Sequence, residues 1–134
     1  MPAISSISLS ALDGTNGFKL MGVSTNDLLG VSVSNAGDVN GDGFDDIIVG
    51  AEEADPSGSP TGASCLVFGQ SSGFGATLDL ASLNGTNGTR FSGVLGGDRS
   101  GGAVSAAGDV NGDGFGDLII GSRSASHSGL TYAG

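Results

Sequence analysis

The sequence predicts an all-β protein assembled from two copies of one unit. Three observations carry that expectation. Apolar runs are short, rich in β-branched residues and stopped by glycine, as in Ile47-Ile-Val-Gly50 and Leu118-Ile-Ile-Gly121. Glycine contributes 27 of the 134 residues, spread between these runs together with Ser and Asn. The chain also matches itself at a fixed shift. Short runs bounded by Gly, Ser and Asn clusters read as strands and turns rather than helices, and a hydrophobic content of 37% excludes simple disorder.

The shift is 71 residues, the distance from Asp38 to Asp109. It brings Ile7-Ser-Leu9 onto Leu78-Asp-Leu80, Leu12-Asp-Gly-Thr-Asn-Gly17 onto Leu83-Asn-Gly-Thr-Asn-Gly88, Gly22-Val23 onto Gly93-Val94, Asp27 onto Asp98 and Val33-Ser34 onto Val104-Ser105, all without a gap. A period of this length marks an array. The first repeat is placed at 12–82 and the second, incomplete, at 83–134. Residues 1–11 are assigned to an outer strand of a preceding or closing unit.

Each unit parses as four strands. The segment Ile4–Leu12, repeated at Ala76–Leu83, alternates apolar and polar residues and is expected to be a half-exposed outer strand. Leu29–Ala36, repeated at Ser100–Ala107, is a strand of small residues, suited to crowding against its symmetry mates. The third strand is the buried apolar run at 47–49 or 118–120. A polar stretch, Ala51–Gly62, leads to the fourth strand, Ala63–Phe68, which has no counterpart before Gly134. Phe18–Val23 and Thr89–Val94 are placed as extensions of the outer strand or its hairpin. Four short antiparallel strands with a small inner one are the pattern of a β-propeller blade. A blade has two apolar faces and needs neighbours, so about three or more repeats are normally required. The whole chain, 1–134, therefore reads as a partial propeller: either a piece of a longer one or a protomer that completes its sheets with copies of itself.

The inner strand runs into a loop that recurs almost unchanged: Asp38-Val-Asn-Gly-Asp-Gly-Phe-Asp-Asp46 and Asp109-Val-Asn-Gly-Asp-Gly-Phe-Gly-Asp117. Side-chain oxygens fall at loop positions 1, 3, 5 and 9: Asp38, Asn40, Asp42 and Asp46, then Asp109, Asn111, Asp113 and Asp117. A calcium ion wants six to eight oxygen ligands, and alternate residues of a curled loop can supply them. Glycine at position 6, Gly43 or Gly114, permits a left-handed turn that lets the carbonyl of Phe44 or Phe115 join as a further ligand. An EF-hand would place a glutamate at position 12, where this chain has Val49 and Ile120. The expected site is thus a β-hairpin turn, with two Ca²⁺ in the chain, one per repeat. The alternative is an Asn/Asp/Gly hairpin turn without metal. Asp45 is Gly116 in the second copy and is not counted as a ligand.

Charge supports this and removes other classes. The formal net charge is −10, from 14 acidic and four basic residues, which argues against nucleic acid or an anionic membrane surface as a partner. Six of the carboxylates (Asp38, Asp42, Asp46, Asp109, Asp113 and Asp117) are candidate ligands in the loops, and two Ca²⁺ would bring −10 to about −6. No run of 18 or more apolar residues is present, so no membrane insertion is expected. Met-Pro-Ala-Ile-Ser-Ser-Ile has neither a basic region nor a continuous apolar stretch, so no signal peptide is expected in this chain. The single cysteine, Cys65, reads as a small hydrophobe in a strand. The single histidine, His127, has no partner for catalysis or for zinc. Asn84-Gly-Thr86 and Asn87-Gly-Thr89 match the glycosylation sequon but read better as the repeat's own turn. Gly93–Gly102 opens no helix and lacks a phosphate-loop lysine. No catalytic residues are assigned, and an enzyme is not expected.

In their order, Leu-Leu-Gly-Val-Ser-Val, Gly-Asp-Val-Asn-Gly-Asp-Gly-Phe-Asp-Asp, Ile-Ile-Val-Gly-Ala and Leu-Val-Phe-Gly resemble the FG-GAP repeat of integrin α-subunit propellers and of many bacterial secreted or surface proteins. The resemblance implies an innermost first strand, calcium in the hairpin between the first and second strands, and ligands at loop positions 1, 3, 5, 7 and 9. Departures such as Leu29-Gly30 in place of Phe-Gly and Gly50-Ala51-Glu52 in place of Gly-Ala-Pro suit a bacterial relative. The function it implies is a non-catalytic, calcium-binding module for extracellular or cell-surface adhesion, with a protein or glycan as ligand. The alternative is a substrate- or partner-binding propeller domain of a larger secreted enzyme, of phospholipase or polysaccharide lyase type. A fold alone does not choose between them.

Overall fold

The structure, a computed structural model, describes residues 6–55, 58–126, 129–132 and 134. Among these the strands are β1 (Lys19–Met21), β2 (Leu29–Gly37), β3 (Asp46–Ala51), β4 (Ala63–Val67), β5 (Thr77–Asp79), β6 (Gly88–Ser92), β7 (Ser100–Gly108) and β8 (Asp117–Ser122). One-turn 3-10 segments lie at Leu9–Ala11 and Leu80–Ser82. β2, β3, β4 and β6 form one antiparallel sheet in that order, β7 and β8 form an antiparallel hairpin, and β1 pairs in parallel with β5. The all-β expectation is met. No helix among the described residues is long and apolar enough to cross a membrane.

The two hairpins are copies down to their irregularities. Leu29 faces Ala51 and Ser32 faces Gly50 in the first; Ser100 faces Ser122 and Ala103 faces Gly121 in the second, each pair displaced by the same 71 residues. Both registers slip twice, between the first and fourth residues of the inner strand and again just before the loop. Such bulges bend a strand and raise its twist.

The outer strand is where sequence and structure part. The described part of Ile4–Leu12 is not a strand: Ser8 caps a 3-10 turn by accepting the Ser10 amide. Its repeat divides into β5 and a second 3-10 turn, capped by Asp79, which accepts the Ala81 amide at 2.9 Å. Hydroxyl and carboxylate side chains that take backbone amides compete with a ladder, and here they win. The sheet is closed instead by β6, whose Gly88–Ser92 pairs antiparallel with Val67–Ala63 of β4. The four-stranded sheet therefore takes its last strand from beyond residue 83 and crosses the 12–82 boundary read from the repeat.

The hairpin β7–β8 packs against the face of the larger sheet. Ala36, Ile48, Leu66 and Val104 form the shared core, flanked by Val39, Phe68, Leu118 and Ile120. A second cluster, Cys65, Val67 and Leu80, sits under the outer part of the sheet with Leu20, Leu78 and Leu83 against it. Inner strand meets inner strand closely: the Val104 amide donates to the Ser32 hydroxyl at 2.9 Å, and a Cβ added to Gly50 would stand 1.9 Å from the Gly101 carbonyl oxygen. Backbones can approach that closely only where side chains are absent. The small residues of the inner strands serve this contact. Two ion pairs span the same joint, Arg123 to Glu52 at 3.1 Å and Arg99 to Glu53 at 3.2 Å.

Candidate metal centre

Each loop is a hairpin turn tied by its own side chains. In the first, the Asp38 carboxylate accepts three backbone amides: Oδ1 from Gly41 at 2.7 Å and Asp42 at 3.0 Å, Oδ2 from Gly43 at 2.9 Å. In the second, Asp109 accepts from Gly112 at 2.6 Å, Asp113 at 3.0 Å and Gly114 at 2.9 Å. Position 3 takes the amide of position 5 in both, Asn40 from Asp42 and Asn111 from Asp113. Position 5 takes that of position 7, Asp42 from Phe44 and Asp113 from Phe115. Position 9 reaches back to position 2, Asp46 to the Val39 amide and Asp117 to the Val110 amide. The glycines of position 6 have φ of +90° in both copies, as the turn requires.

These bonds fix the orientation of the loop oxygens. Stacked amides hold the Asp109 carboxyl below the usual carboxylate range, the Gly114 amide being the largest contributor. A carboxylate offers about four lone-pair positions, so three amides on Asp38 leave room for a cation. The donors at positions 1, 3, 5 and 9 are all oxygen, which fits a hard ion such as Ca²⁺. In this arrangement, however, the carboxylates are turned to backbone amides, and Asn40 Nδ2 donates to Asp42 Oδ2 at 2.8 Å. Among the described residues no three His, Cys, Asp or Glu side chains converge on one point.

The structure adds contacts that the sequence did not disclose. Asp46, buried, uses its second oxygen to accept the Gly69 amide at 2.9 Å, fastening the loop to the chain leaving β4. The two loops also touch: the Gly116 amide donates to the Asp38 carbonyl at 2.8 Å, and the Phe115 ring lies over Gly41. A Cβ on Gly116 would come within 2.9 Å of the Ala36 carbonyl oxygen. Asp45, at the same position in the first loop, instead accepts from Asn35 Nδ2 at 3.1 Å. The Asp45/Gly116 mismatch was the one signal of this contact in the sequence.

Residues outside the loops fall as expected where they are described. Burial pushes the Cys65 thiol up, as suits a packing residue. Asn87 Nδ2 donates to the Ser82 carbonyl at 3.2 Å, and Asn84 Oδ1 accepts both the amide and the hydroxyl of Thr86. Both side chains are thus working parts of a turn. His127 lies outside the described residues.

With two matched hairpins on one all-β frame, each carrying the same acidic loop, the chain belongs to the FG-GAP repeat family. The family model matches residues 29–64 and 100–134, just over half of the chain. Both matched segments include a loop. No curated protein matches the chain.

Proposed function

We propose that the sheets are blades of a β-propeller and that each loop binds one Ca²⁺, making a non-catalytic module that presents its rim to a protein or glycan outside the cell. The observation that carries this is the identity of the two loops. Every oxygen position is kept, and the amide pattern that orients positions 1, 3, 5 and 9 repeats bond for bond. A metal-free turn would need the shape of this loop but not three carboxylates in it, whose mutual repulsion costs on the order of 1 kcal/mol or more per pair at a few ångströms. In the first loop Asp38, Asn40, Asp42, Asp46 and the carbonyl of Phe44 would hold the ion; in the second, Asp109, Asn111, Asp113, Asp117 and the carbonyl of Phe115. The bound ion supplies charge neutralisation and a cross-link between the ends of the turn.

Isothermal calorimetry tests this directly. Two sites are expected, with Kd of about 10⁻⁴–10⁻³ M as in extracellular modules. Asp42→Ala and Asp113→Ala should each remove one site, and the double variant both. Unchanged binding in the double variant contradicts the assignment.

A further inference from the structure

Two peptide groups join the two acidic loops, and each also belongs to one of the proposed sites. The Gly116 amide donates to the Asp38 carbonyl at 2.8 Å. That amide is part of the Phe115–Gly116 peptide, whose carbonyl is the candidate ligand at position 7 of the second loop. The Asp38 carbonyl is part of the Asp38–Val39 peptide, whose amide donates to Asp46 Oδ2 at 2.9 Å. Asp46 is the candidate ligand at position 9 of the first loop. A trans peptide is planar, so its carbonyl and amide point to opposite sides. One line of hydrogen bonds therefore runs from the Phe115 carbonyl to the Asp46 carboxylate. We propose that this line couples the loops, so that calcium held in either one strengthens its binding in the other, a coupling that presupposes the calcium sites proposed above.

The contact uses features that a single loop does not need. Position 8 is no candidate ligand, and it is glycine in the second loop but Asp45 in the first. Gly116 is not in the left-handed region. Space confines it instead, since a Cβ there would stand 2.9 Å from the Ala36 carbonyl oxygen and 3.3 Å from that of Asp38. Gly41 tells the same story from the other loop. Its amide donates to Asp38 Oδ1 at 2.7 Å, and the Phe115 ring lies where its Cβ would be, whereas the equivalent Gly112 has open space there. The second loop thus reaches Asp38 twice, at its carbonyl through Gly116 and at its carboxylate through the residue beneath Phe115.

Two effects act in the same direction. With its carbonyl on a cation, the Phe115–Gly116 peptide is polarised and its N–H becomes a stronger donor; hydrogen bonds in a chain strengthen one another in this way by about 10–30% per bond. Ordering adds to this. Fixing the Phe115–Gly116 plane also fixes the Asp38 carbonyl and the Val39 amide that holds Asp46, so the loop filled second is already set and loses less conformational entropy on binding. Repulsion between the ions opposes the coupling, but three carboxylates per loop offset it and salt screens it over about 8 Å at physiological ionic strength.

Nuclear magnetic resonance titrations of single-site variants test the link. In Asp42→Ala, which leaves only the second loop to bind, calcium should shift the Val39 amide, and that shift should saturate together with those of Gly112 and Gly114. Adding Gly116→Ala should abolish the Val39 shift while Gly112 and Gly114 still respond, which also shows that the second loop has kept its form. Because coupling is reciprocal, Asp113→Ala should weaken the first loop by the same factor by which Asp42→Ala weakens the second, about fivefold or more. A Val39 amide that stays in place while Gly112 and Gly114 shift, a Val39 shift that survives Gly116→Ala, or affinities unchanged by loss of the other site would overturn the coupling and leave both calcium sites standing. Loop amides that never respond to calcium, in the variants or the unaltered protein, would overturn the calcium sites and the coupling with them.

Discussion

The hairpins β2–β3 and β7–β8 share register, bulges and loop hydrogen bonds, yet their returning strands differ: β3 has five of its six residues buried, whereas β8 has none. Asp46 of the first is buried against the chain after β4, whereas Asp117 at the same place is half-buried. Ile48 is 0% exposed and its equivalent Ile119 61%. The conformation of each hairpin follows from its own residues: glycines at the loop turns, an aspartate collecting amides, an apolar strand returning. Burial follows from what covers it. The first hairpin has β4, β6 and the second hairpin around it; among the described residues the second has only the first.

The sharpest way to break this comparison is to cut the same side chain from both copies. Ile48→Ala should destabilise the fold by about 2–4 kcal/mol, through lost transfer energy and the cavity left behind. Ile119→Ala in the single chain should cost under about 1 kcal/mol, because its side chain is already in water. Denaturant unfolding, read from the shift in midpoint at constant slope, measures both. Equal costs would mean that the two repeats share one environment.

Adding a methyl group sharpens it further. Gly50→Ala would drive its Cβ into the Gly101 carbonyl and should cost about 1–3 kcal/mol or more. Gly121→Ala has room within the chain and should be neutral or slightly stabilising. The pair is compared by thermal melting at low protein concentration.

How much of this was legible beforehand depended on whether a feature is local. The loops were readable because their chemistry is contained in nine consecutive residues, each with its own side-chain or glycine signal. The inner and third strands were readable from apolar runs between glycines. The outer strand was not. Ile4–Leu12 alternates like a strand, but Ser8, like Asp79 in the repeat, turns its oxygen onto the backbone and closes a 3-10 turn. The true edge strand, Gly88-Thr-Arg-Phe-Ser92, overlaps Thr89–Val94, read as an extension of the outer strand or its hairpin, but its pairing with β4 was not readable because β4 lies far from it in sequence. Contacts between repeats were equally hidden, because a single glycine at 116 says only that a side chain is unwelcome there.

A smaller effect separates the two turns that open the repeats. The Asp13 carboxylate accepts the amide and hydroxyl of Thr15 and the Asn16 amide, and the Thr15 hydroxyl leads the interactions that hold its pKa below the usual carboxylate range. Asn84 accepts the amide and hydroxyl of Thr86 with a neutral oxygen. Since the folded pKa of Asp13 is lowered, its contribution is present above the unfolded value and is lost as pH falls through the folded one. As pH falls through that lowered folded value the Thr15 amide should exchange faster relative to its own unfolded rate, while Thr86 changes little. Parallel loss of protection at both would show that the turns respond to acid through the whole fold rather than through Asp13.

The central claim, that the two loops are equivalent calcium sites, is tested most directly by following backbone amide resonances during a calcium titration. The amides of Gly41 and Gly43, and those of Gly112 and Gly114, should shift together and saturate at one ion per loop, and a chelator should return them to their starting positions. Amides that stay in place up to about 10 mM calcium, an order of magnitude above the weakest affinity expected of such modules, would contradict the claim and leave the loops as turns without metal.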